Sequence, residues 1–241
     1  MRVLKARSNS LYVWRYVQLN KSRIMIFVTL FFLATILFVM NVKPYASVGL
    51  ILIPLSYILG IYAYRSYAIW SSGPRGEELV LDELKKLSDD YVLIRNAVIP
   101  PSKGDIDYVL VGPNGVFIIE TKNVGGVVMC DGDFWSRHKV GRQGKPYELE
   151  IGNPSRQAKR SAKTLKDFIL KHEKRIFDGR APHIWVYSIL VFTNKDITLK
   201  LRNPTVDVLS IQEINGFILG QKSMRIAKTV VDRTAKAVAG H

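Results

Sequence analysis

The sequence predicts an α/β domain with a central mixed sheet flanked by helices, preceded by a transmembrane hairpin of two helices. Three observations predict this architecture: two uncharged runs of 19 residues near the start of the chain, apolar strands that alternate with amphipathic helices after residue 75, and an apolar content of 48%. That apolar content excludes a disordered chain. The single cysteine excludes a disulfide scaffold and a cysteine-based zinc site.

Charge is unevenly distributed along the 241 residues, whose net charge is +15. The first 64 residues contain seven basic residues and no acidic residue, so the remainder contains 28 basic and 20 acidic residues. A remainder of about 175 residues is a normal size for one domain with a full core. We therefore expect a basic cytoplasmic segment at 1–23, the hairpin at 24–64, a linker at 65–75, one globular domain at 76–220 and a C-terminal helix at 221–241.

The two uncharged runs, residues 24–42 and 46–64, would each be about 28 Å long as helices, close to the roughly 30 Å hydrocarbon thickness of a bilayer. The connector at 43–45 contains a proline, which prevents one continuous helix. A hairpin this tight puts both ends of the chain on one side. Six basic residues precede the first span and Arg65 follows the second, so the positive-inside rule predicts a two-span cell-membrane protein with both termini in the cytoplasm. The alternative is a cleaved signal peptide, which leaves the second run unexplained.

The globular part begins after the breaker cluster at 73–76, which is expected to separate it from the membrane segment. Asn153 is placed to cap a long helix that has Pro154 at its first position. Alternating and apolar runs predict the other elements. The predicted strands are 91–98, 105–111, 116–122, 126–129, 134–135, 183–192 and 206–209, and the predicted helices are 77–87, 153–174, 211–219 and 224–238.

The first of these helices carries a carboxylate on its apolar stripe. At 100° per residue, Glu77 lies on the same side as Val80, Leu84 and Leu87. A carboxylate that faces the core is costly unless it is paired or binds a metal. The alternative is a first-turn glutamate that favours the helix dipole and reaches solvent.

Two adjacent strands bring acidic side chains together. With a two-residue turn between the strands, Asp107 lies opposite Glu120, and alternation puts Glu120 and Lys122 on one otherwise apolar face with Asp107. Two ionised carboxylates repel, so this arrangement suits a cation. The alternatives are an Asp/Glu/Lys ion-pair cluster at a sheet edge and a bulge at Gly115 that would turn the two acids apart.

The long helix has a basic face opposite its predicted buried stripe, and Gln157 lies at the border between them. Basic helical faces are commonly solvated, but few acids offset this one, so it suits contact with nucleic-acid phosphates. The same face also suits an anionic bilayer. The residues assigned to nucleic-acid binding are Arg156, Lys159, Arg160, Lys163 and Lys166.

Residues 131–150 are expected to form a basic loop in which aromatic residues are interleaved with cations. Such a mixture suits nucleic acid, because cations contact phosphates and aromatic rings stack on bases. The residues of this loop that support the interpretation are Trp135, Arg137, His138, Lys139, Arg142, Lys145 and Tyr147.

Four elements stand in a fixed order along the chain. They are Gly76-Glu77, residues 105–113, residues 115–122, and Asn153-Pro154 with Gln157. Together they resemble the nuclease-related domain (NERD) family, a branch of the PD-(D/E)xK nuclease superfamily. The resemblance extends from about residue 73 to residue 194, more loosely to residue 219, and implies a restriction-endonuclease-like core. One departure is Tyr108, where histidine is expected in many members.

The resemblance implies a role for each of five side chains. Glu77 would be the helical acidic residue, Asp107 and Glu120 the metal ligands, Lys122 the catalytic lysine and Gln157 a helix residue at the site. Oxygen ligands of this kind suit Mg²⁺ or Mn²⁺, and Glu77 would help to hold the metal or Lys122. We therefore predict a membrane-anchored, metal-dependent nuclease that acts on DNA at the cytoplasmic face. The alternative is a catalytically silent tether that binds nucleic acid or a partner through the basic helix.

Overall fold

The computed structural model describes residues 1–5, 11–40, 45–102, 104–141, 143–179, 184–222 and 225–240. Part of the predicted connector (43–44), Arg142 of the predicted basic loop, and the first residues of the strand predicted at 183 and of the helix predicted at 224 lie outside the described residues. The chain divides into two compact units, one of residues 10–74 and the other of residues 1–9 with 75–241.

Two long helices account for the unit of residues 10–74. They are α1 (Leu11–Val39) and the greater part of α2 (Tyr45–Leu84). Trp14–Val39 and Ala46–Leu84 are each long and apolar enough to cross a membrane, a property of length and composition alone. Both predicted spans lie largely within these helices.

Within this unit the two helices pack antiparallel. The ring of Tyr16 near the start of α1 stacks on Trp70, with centroids 4.9 Å apart. At the other end of the pair, a Cβ atom on Gly49 would lie 3.0 Å from the Cβ of Phe38, so glycine permits the close approach. The predicted helical hairpin is therefore what the fold contains.

The predicted linker is wrong in its secondary structure, because α2 continues through the breaker cluster at 73–76 and ends at Leu84. An interior proline costs a helix about 3 kcal/mol, a penalty that the helical turns on both sides of it can offset. The division between the two compact units nevertheless falls at residues 74 and 75, next to the predicted boundary.

A mixed six-stranded sheet forms the centre of the second unit, with strand order β1-β2-β3-β4-β8-β10. A separate four-stranded sheet has the order β7-β6-β5-β9. The predicted α/β class with a central mixed sheet is confirmed. The strands are β1 (Arg2–Lys5), β2 (Val92–Val98), β3 (Asp105–Gly112), β4 (Gly115–Lys122), β5 (Gly126–Asp131), β6 (Phe134–Val140), β7 (Pro146–Leu149), β8 (Val186–Phe192), β9 (Ile197–Arg202) and β10 (Asp207–Leu209).

Strand β1 was not predicted, since residues 1–23 were expected to be a basic tail. It pairs in parallel with β2, from Arg2 opposite Val92 to Lys5 opposite Arg95. Arg2 also forms an ion pair of 2.6 Å with Asp232 of the C-terminal helix. Four residues flanked by cations are too few to show an alternating pattern, so the sequence alone did not predict this strand.

The predicted loop at 131–150 is also wrong, because β6 and β7 occupy most of it. Strand β9 pairs in parallel with β5 and was likewise not predicted. Trp135 is buried at 7% exposure, and its indole Nε1 donates a 2.7 Å hydrogen bond to Ser155 Oγ. This ring belongs to the core and is not exposed as the predicted loop required.

Hydrophobic clusters cover both faces of the six-stranded sheet. Helices α3 (Pro154–Lys171) and α6 (Lys228–Ala239) contribute to one cluster, and the end of α2 with α5 (Ile214–Gly220) contributes to the other. A five-residue helix α4 (Glu173–Phe177) follows α3, where the sequence predicted one continuous helix. The sheet is therefore the middle of three layers.

The turn between β3 and β4 has the predicted register. Val111 lies opposite Val116 and Gly112 opposite Gly115, so no bulge interrupts the pairing at Gly115. The antiparallel pairing brings the start of β3 and the end of β4 to the same edge of the sheet. At this edge the strands carry polar side chains in place of apolar ones.

Candidate active site

Glu120 lies near the end of β4 and is buried, with 2% exposure. Its Oε1 accepts hydrogen bonds from Lys122 Nζ at 2.9 Å and Gln157 Nε2 at 2.5 Å. Its Oε2 is buried, and no described residue donates a hydrogen bond to it. Burial and the Asp107 carboxylate raise the pKa of Glu120 to about 7, against the opposing effect of Lys122. A buried carboxylate oxygen without a donor is costly, so it suits a cation or a proton.

Asp107 lies on the neighbouring strand, one position beyond the last pair of the β3–β4 ladder, Tyr108 with Ile119. If the same register continued by one residue, Asp107 would lie opposite Glu120. The Asp107 Oδ2 accepts hydrogen bonds from the Thr121 backbone N at 2.7 Å and from Thr121 Oγ1 at 2.8 Å. Burial nevertheless raises the pKa of Asp107. Both strand carboxylates therefore resist ionisation in the absence of a cation.

Gln157 connects the lysine to the buried glutamate. Its Oε1 accepts a 3.0 Å hydrogen bond from Lys122 Nζ, while its Nε2 donates to Glu120. Gln157 is in the first turn of α3, which begins as predicted: Asn153 Oδ1 accepts a 2.8 Å hydrogen bond from the Arg156 backbone N. The helix cap thus fixes the turn that carries this amide.

Glu77 approaches the same edge from α2. It is partly buried and lies one turn before Val80, which is fully buried. Burial and then the Asp107 carboxylate raise the pKa of Glu77 to about 7, and Arg95 opposes them. The hydrogen bonds join Glu120, Lys122 and Gln157, and the Asp107 carboxylate raises the pKa of both Glu77 and Glu120. The five predicted residues therefore lie near one edge of the sheet.

The basic face of α3 is less uniform than the sequence suggests. Lys159 Nζ donates to both carboxylate oxygens of Asp133, at 2.8 and 2.5 Å, and to Thr205 Oγ1 at 3.1 Å. Lys163 forms an ion pair with Asp167 at 3.3 Å. Arg156 and Arg160 are exposed, as is Lys163, and Lys166 is partly exposed. The predicted buried stripe is confirmed, since Ala158, Ala162, Leu165 and Ile169 are all buried.

A family model for the nuclease-related domain matches residues 72–193, a little over half of the chain. The chain belongs to the nuclease-related domain family. The match has nearly the bounds that the sequence motifs suggest, and this family is consistent with the PD-(D/E)xK superfamily.

No curated protein matches this nuclease-related domain protein. It is similar to the structure of Pyrococcus furiosus SfsA in complex with Ca²⁺, at 12% sequence identity and a TM-score of 0.23. The similarity covers 70% of this chain and 54% of that protein, so the chain spans about half of the SfsA length. A similarity of this size says nothing about activity.

The donor set of the nuclease-related domain fits a hard divalent cation. Glu120 offers an oxygen that no described residue binds, and the neighbouring carboxylate of Asp107 adds a second negative charge. The described part of the chain has no group of three or more His, Cys, Asp or Glu residues arranged to hold a metal. Two carboxylates suffice for Mg²⁺, which keeps several of its waters and is commonly bound through one or two carboxylates.

Two residues at this edge were not identified from the sequence. Thr121 holds the Asp107 carboxylate through both its backbone and its hydroxyl group. Arg95 forms a 2.8 Å ion pair with Glu78 and lowers the pKa of Glu77. The signal for Thr121 was its position between Glu120 and Lys122. Arg95 gave no signal, because its contacts cross between a helix and a strand.

Proposed function

We propose that this protein is a membrane-anchored, metal-dependent nuclease that hydrolyses phosphodiester bonds of DNA. The observation that carries the proposal is the buried Glu120 carboxylate, whose Oε2 has no donor among the described residues while Lys122 and Gln157 hold its Oε1. A structural ion-pair cluster has no need of a buried oxygen left without a donor. Membership of the nuclease-related domain family supports the same reaction class.

The residues of the site divide the chemical work. Asp107 and Glu120 would hold Mg²⁺ or Mn²⁺, with Glu77 as a further acid. The bound ion would supply a Lewis acid for the phosphate and a water of lowered pKa. Lys122 would orient the attacking water or stabilise negative charge that develops on the phosphate oxygens. Gln157 keeps the lysine and the glutamate at a fixed separation, because one amide binds both.

The order of strands supports the proposed membrane topology. Strand β1 precedes both long helices and β2 follows them, yet the two strands pair within one sheet. A chain that leaves this sheet and returns to it must cross a bilayer an even number of times. Two crossings would put residues 1–5 and the nuclease-related domain on the same side, and six basic residues ahead of the first span favour the cytoplasm.

The nuclease is tested by incubating linear and circular DNA with the full-length protein in detergent, with Mg²⁺ and with a chelator. We expect cleavage that requires the metal, and loss of about 10²–10⁴-fold in rate in Lys122→Ala. Asp107→Ala should be similarly impaired. The matched control is Lys159→Ala, because Lys159 lies on the same helix as Gln157 but is bound to Asp133. Equal rates for wild type, Lys122→Ala and Asp107→Ala would reject the assignment.

The same samples test the silent tether. An inactive wild type that still binds DNA through α3, independently of metal, would favour that function over the nuclease.

The topology is tested separately. Single cysteines introduced at Val3 and at Leu219 of a Cys130→Ser protein should both be labelled from the cytoplasmic side of sealed vesicles. Labelling of the two positions from opposite sides would contradict a hairpin.

A further inference from the structure

Glu77 is the acidic residue of the site that a helix carries, whereas Asp107 and Glu120 are carried by strands. The separation between a helix and a sheet depends on the side chains between them. The place of Glu77 in the site therefore depends on how closely the end of α2 approaches the ends of the strands. Two contacts on either side of Glu77 determine that approach.

The first contact is made by Gly76, the residue before Glu77. A Cβ atom added to Gly76 would lie 2.4 Å from Thr193 Oγ1 and 3.0 Å from the Cβ of Asn123. Real Cβ atoms do not approach other atoms as closely as the first of these distances. Glycine inside a helix costs about 1 kcal/mol relative to alanine, and Gly76 does not have a positive φ that would require glycine. Glycine at position 76 is therefore explained by the lack of room for a side chain.

The atoms that Gly76 meets belong to the ends of the strands that form the site. Asn123 directly follows Lys122, and Thr193 directly follows β8. The backbone N of Thr193 donates a 3.0 Å hydrogen bond to the carbonyl of Lys122. Gly76 therefore packs against the side chains of the two residues that follow the lysine strand and its neighbour β8.

The second contact is made by Tyr108, the residue after Asp107. Its ring is fully buried, and its hydroxyl donates a 2.7 Å hydrogen bond to the backbone carbonyl of Glu77. The Arg95 guanidinium lies 5.8 Å from the ring centroid. The hydroxyl thereby connects the strand that carries Asp107 to the helical turn that carries Glu77.

We propose that Gly76 and Tyr108 are positioning residues that hold Glu77 at the metal site, Gly76 by permitting close packing on Asn123 and Thr193 and Tyr108 by its hydrogen bond to the Glu77 carbonyl. This inference rests on the proposed function. Neither residue contacts the reacting groups. Each acts through the helical turn that carries the carboxylate.

The first test is Gly76→Ala, measured by calorimetric titration of the full-length protein with Mn²⁺ alone. We expect Mn²⁺ affinity to fall about 10- to 100-fold, as is usual when a supporting residue of a metal site is removed. Gly73→Ala is the matched control, since it makes the same change one turn earlier in α2, where an added Cβ meets nothing within 4 Å. It should bind Mn²⁺ as the wild type does.

A compensating variant separates packing from loss of folding. The double variant Gly76→Ala with Thr193→Ala removes the oxygen that the new Cβ would strike, so it should recover a large part of the affinity relative to Thr193→Ala alone. Hydrogen exchange of residues 75–84 should show reduced protection in Gly76→Ala and restored protection in the double variant.

Tyr108→Phe tests the second contact. It also tests the positioning of Glu77 if Gly76→Ala does not fold. Loss of one hydrogen bond should weaken Mn²⁺ binding by about 2- to 10-fold. Tyr91→Phe is its control, because the Tyr91 hydroxyl donates to Asn114 at the opposite end of the sheet.

Wild-type Mn²⁺ affinity in both Gly76→Ala and Tyr108→Phe would overturn the inference and leave the nuclease standing. A wild-type protein that binds no Mn²⁺ would instead reject the proposed function.

Discussion

Two carboxylates of this protein have similar hydrogen-bond partners, but their pKa values are shifted in opposite directions. Glu120 accepts from Lys122 and from the amide of Gln157, and Asp133 accepts from Lys159 and from the hydroxyl of Thr205. The pKa of Glu120 is raised to about 7, whereas the pKa of Asp133 is lowered. Both carboxylates contact α3, through residues only two positions apart.

The difference comes from burial and from the nearest charge. Glu120 is buried beside the Asp107 carboxylate, while the Asp133 side chain is 38% exposed and has cations as its charged neighbours. Lys159 contacts both oxygens of Asp133, but Glu120 has one oxygen that no described residue binds. A lysine bound to a carboxylate thus forms a structural contact at Asp133 and part of a candidate cation site at Glu120.

The two carboxylates are expected to differ in their effect on metal binding. Glu120→Gln replaces one carboxylate oxygen by an amide and removes the negative charge, so Mn²⁺ affinity should fall about 10- to 100-fold. Asp133→Asn makes the corresponding change at the exposed pair and should leave Mn²⁺ affinity unchanged. Calorimetric titration measures both. Equal losses in the two variants would show that the effect is not specific to the site.

The cations of α3 are expected to contribute unequally to DNA binding. Arg156 and Arg160 are exposed, whereas Lys159 is held by Asp133 and Thr205. The double substitution Arg156→Gln with Arg160→Gln is made in a Lys122→Ala background, so that the DNA is not cleaved. The slope of the logarithm of DNA affinity against the logarithm of salt concentration should become shallower by about 1 for each phosphate that the helix no longer binds. Lys159→Gln should leave that slope close to the parent value. Fluorescence anisotropy of a labelled duplex at several salt concentrations gives the slopes, and a larger change in Lys159→Gln would contradict the division.

The dependence of stability on pH should have opposite signs for the two carboxylates. The folded state binds the Glu120 proton more tightly than the unfolded state does, so the stability of the metal-free protein should fall as pH rises from about 4.5 to about 7, and Glu77 adds to this fall. The Asp133 contribution is present above its ordinary pKa and is lost as pH falls below it.

Thermal melts of the metal-free protein at several pH values measure this effect. Glu120→Gln should flatten the fall between about pH 4.5 and pH 7, and Asp133→Asn should not. Added Mg²⁺ should stabilise the wild type more at the upper end of the range, because its ligands must be ionised. A fall that is unchanged in Glu120→Gln would exclude this residue as its source.

The smallest effect is expected at Trp135, a buried residue of β6 whose indole donates a hydrogen bond to Ser155 of α3. Trp135→Phe should lower the free energy of unfolding by about 0.5–1.5 kcal/mol, because the indole hydrogen bond is removed, and should leave DNA affinity unchanged. Trp185→Phe, at a ring that is 54% exposed, is the control for the substitution itself. Weaker DNA binding in Trp135→Phe but not in Trp185→Phe would support the base-stacking role that the sequence predicted for Trp135.

Much of the fold could be predicted because its patterns are local. Alternation predicted β3 and β4, the two-residue turn predicted their register, and the cap at Asn153 predicted the start of α3. Strands β1 and β7 were not predicted, since four residues are too few for a period to show. The end of the second long apolar helix, α2, was predicted too early, because a proline and two glycines interrupt the pattern although helical turns continue on both sides of them.

The candidate site could be predicted as a set of residues but not as a set of contacts. The spacing of Glu120 and Lys122 and the position of Gln157 identified the members. That Thr121 binds Asp107, that Tyr108 binds the backbone of Glu77, and that Lys159 is held by Asp133 follow from approaches between residues 14 to 31 positions apart.

The sequence by itself determined the class of the fold, the family and the residue types at the site, because these depend on periodicity and on spacing along the chain. Only the tertiary structure decided which carboxylate oxygen lacks a donor and which lysine is already held. Hydrogen bonding and burial depend on distances in space between residues that are far apart along the chain, and no local pattern encodes those distances.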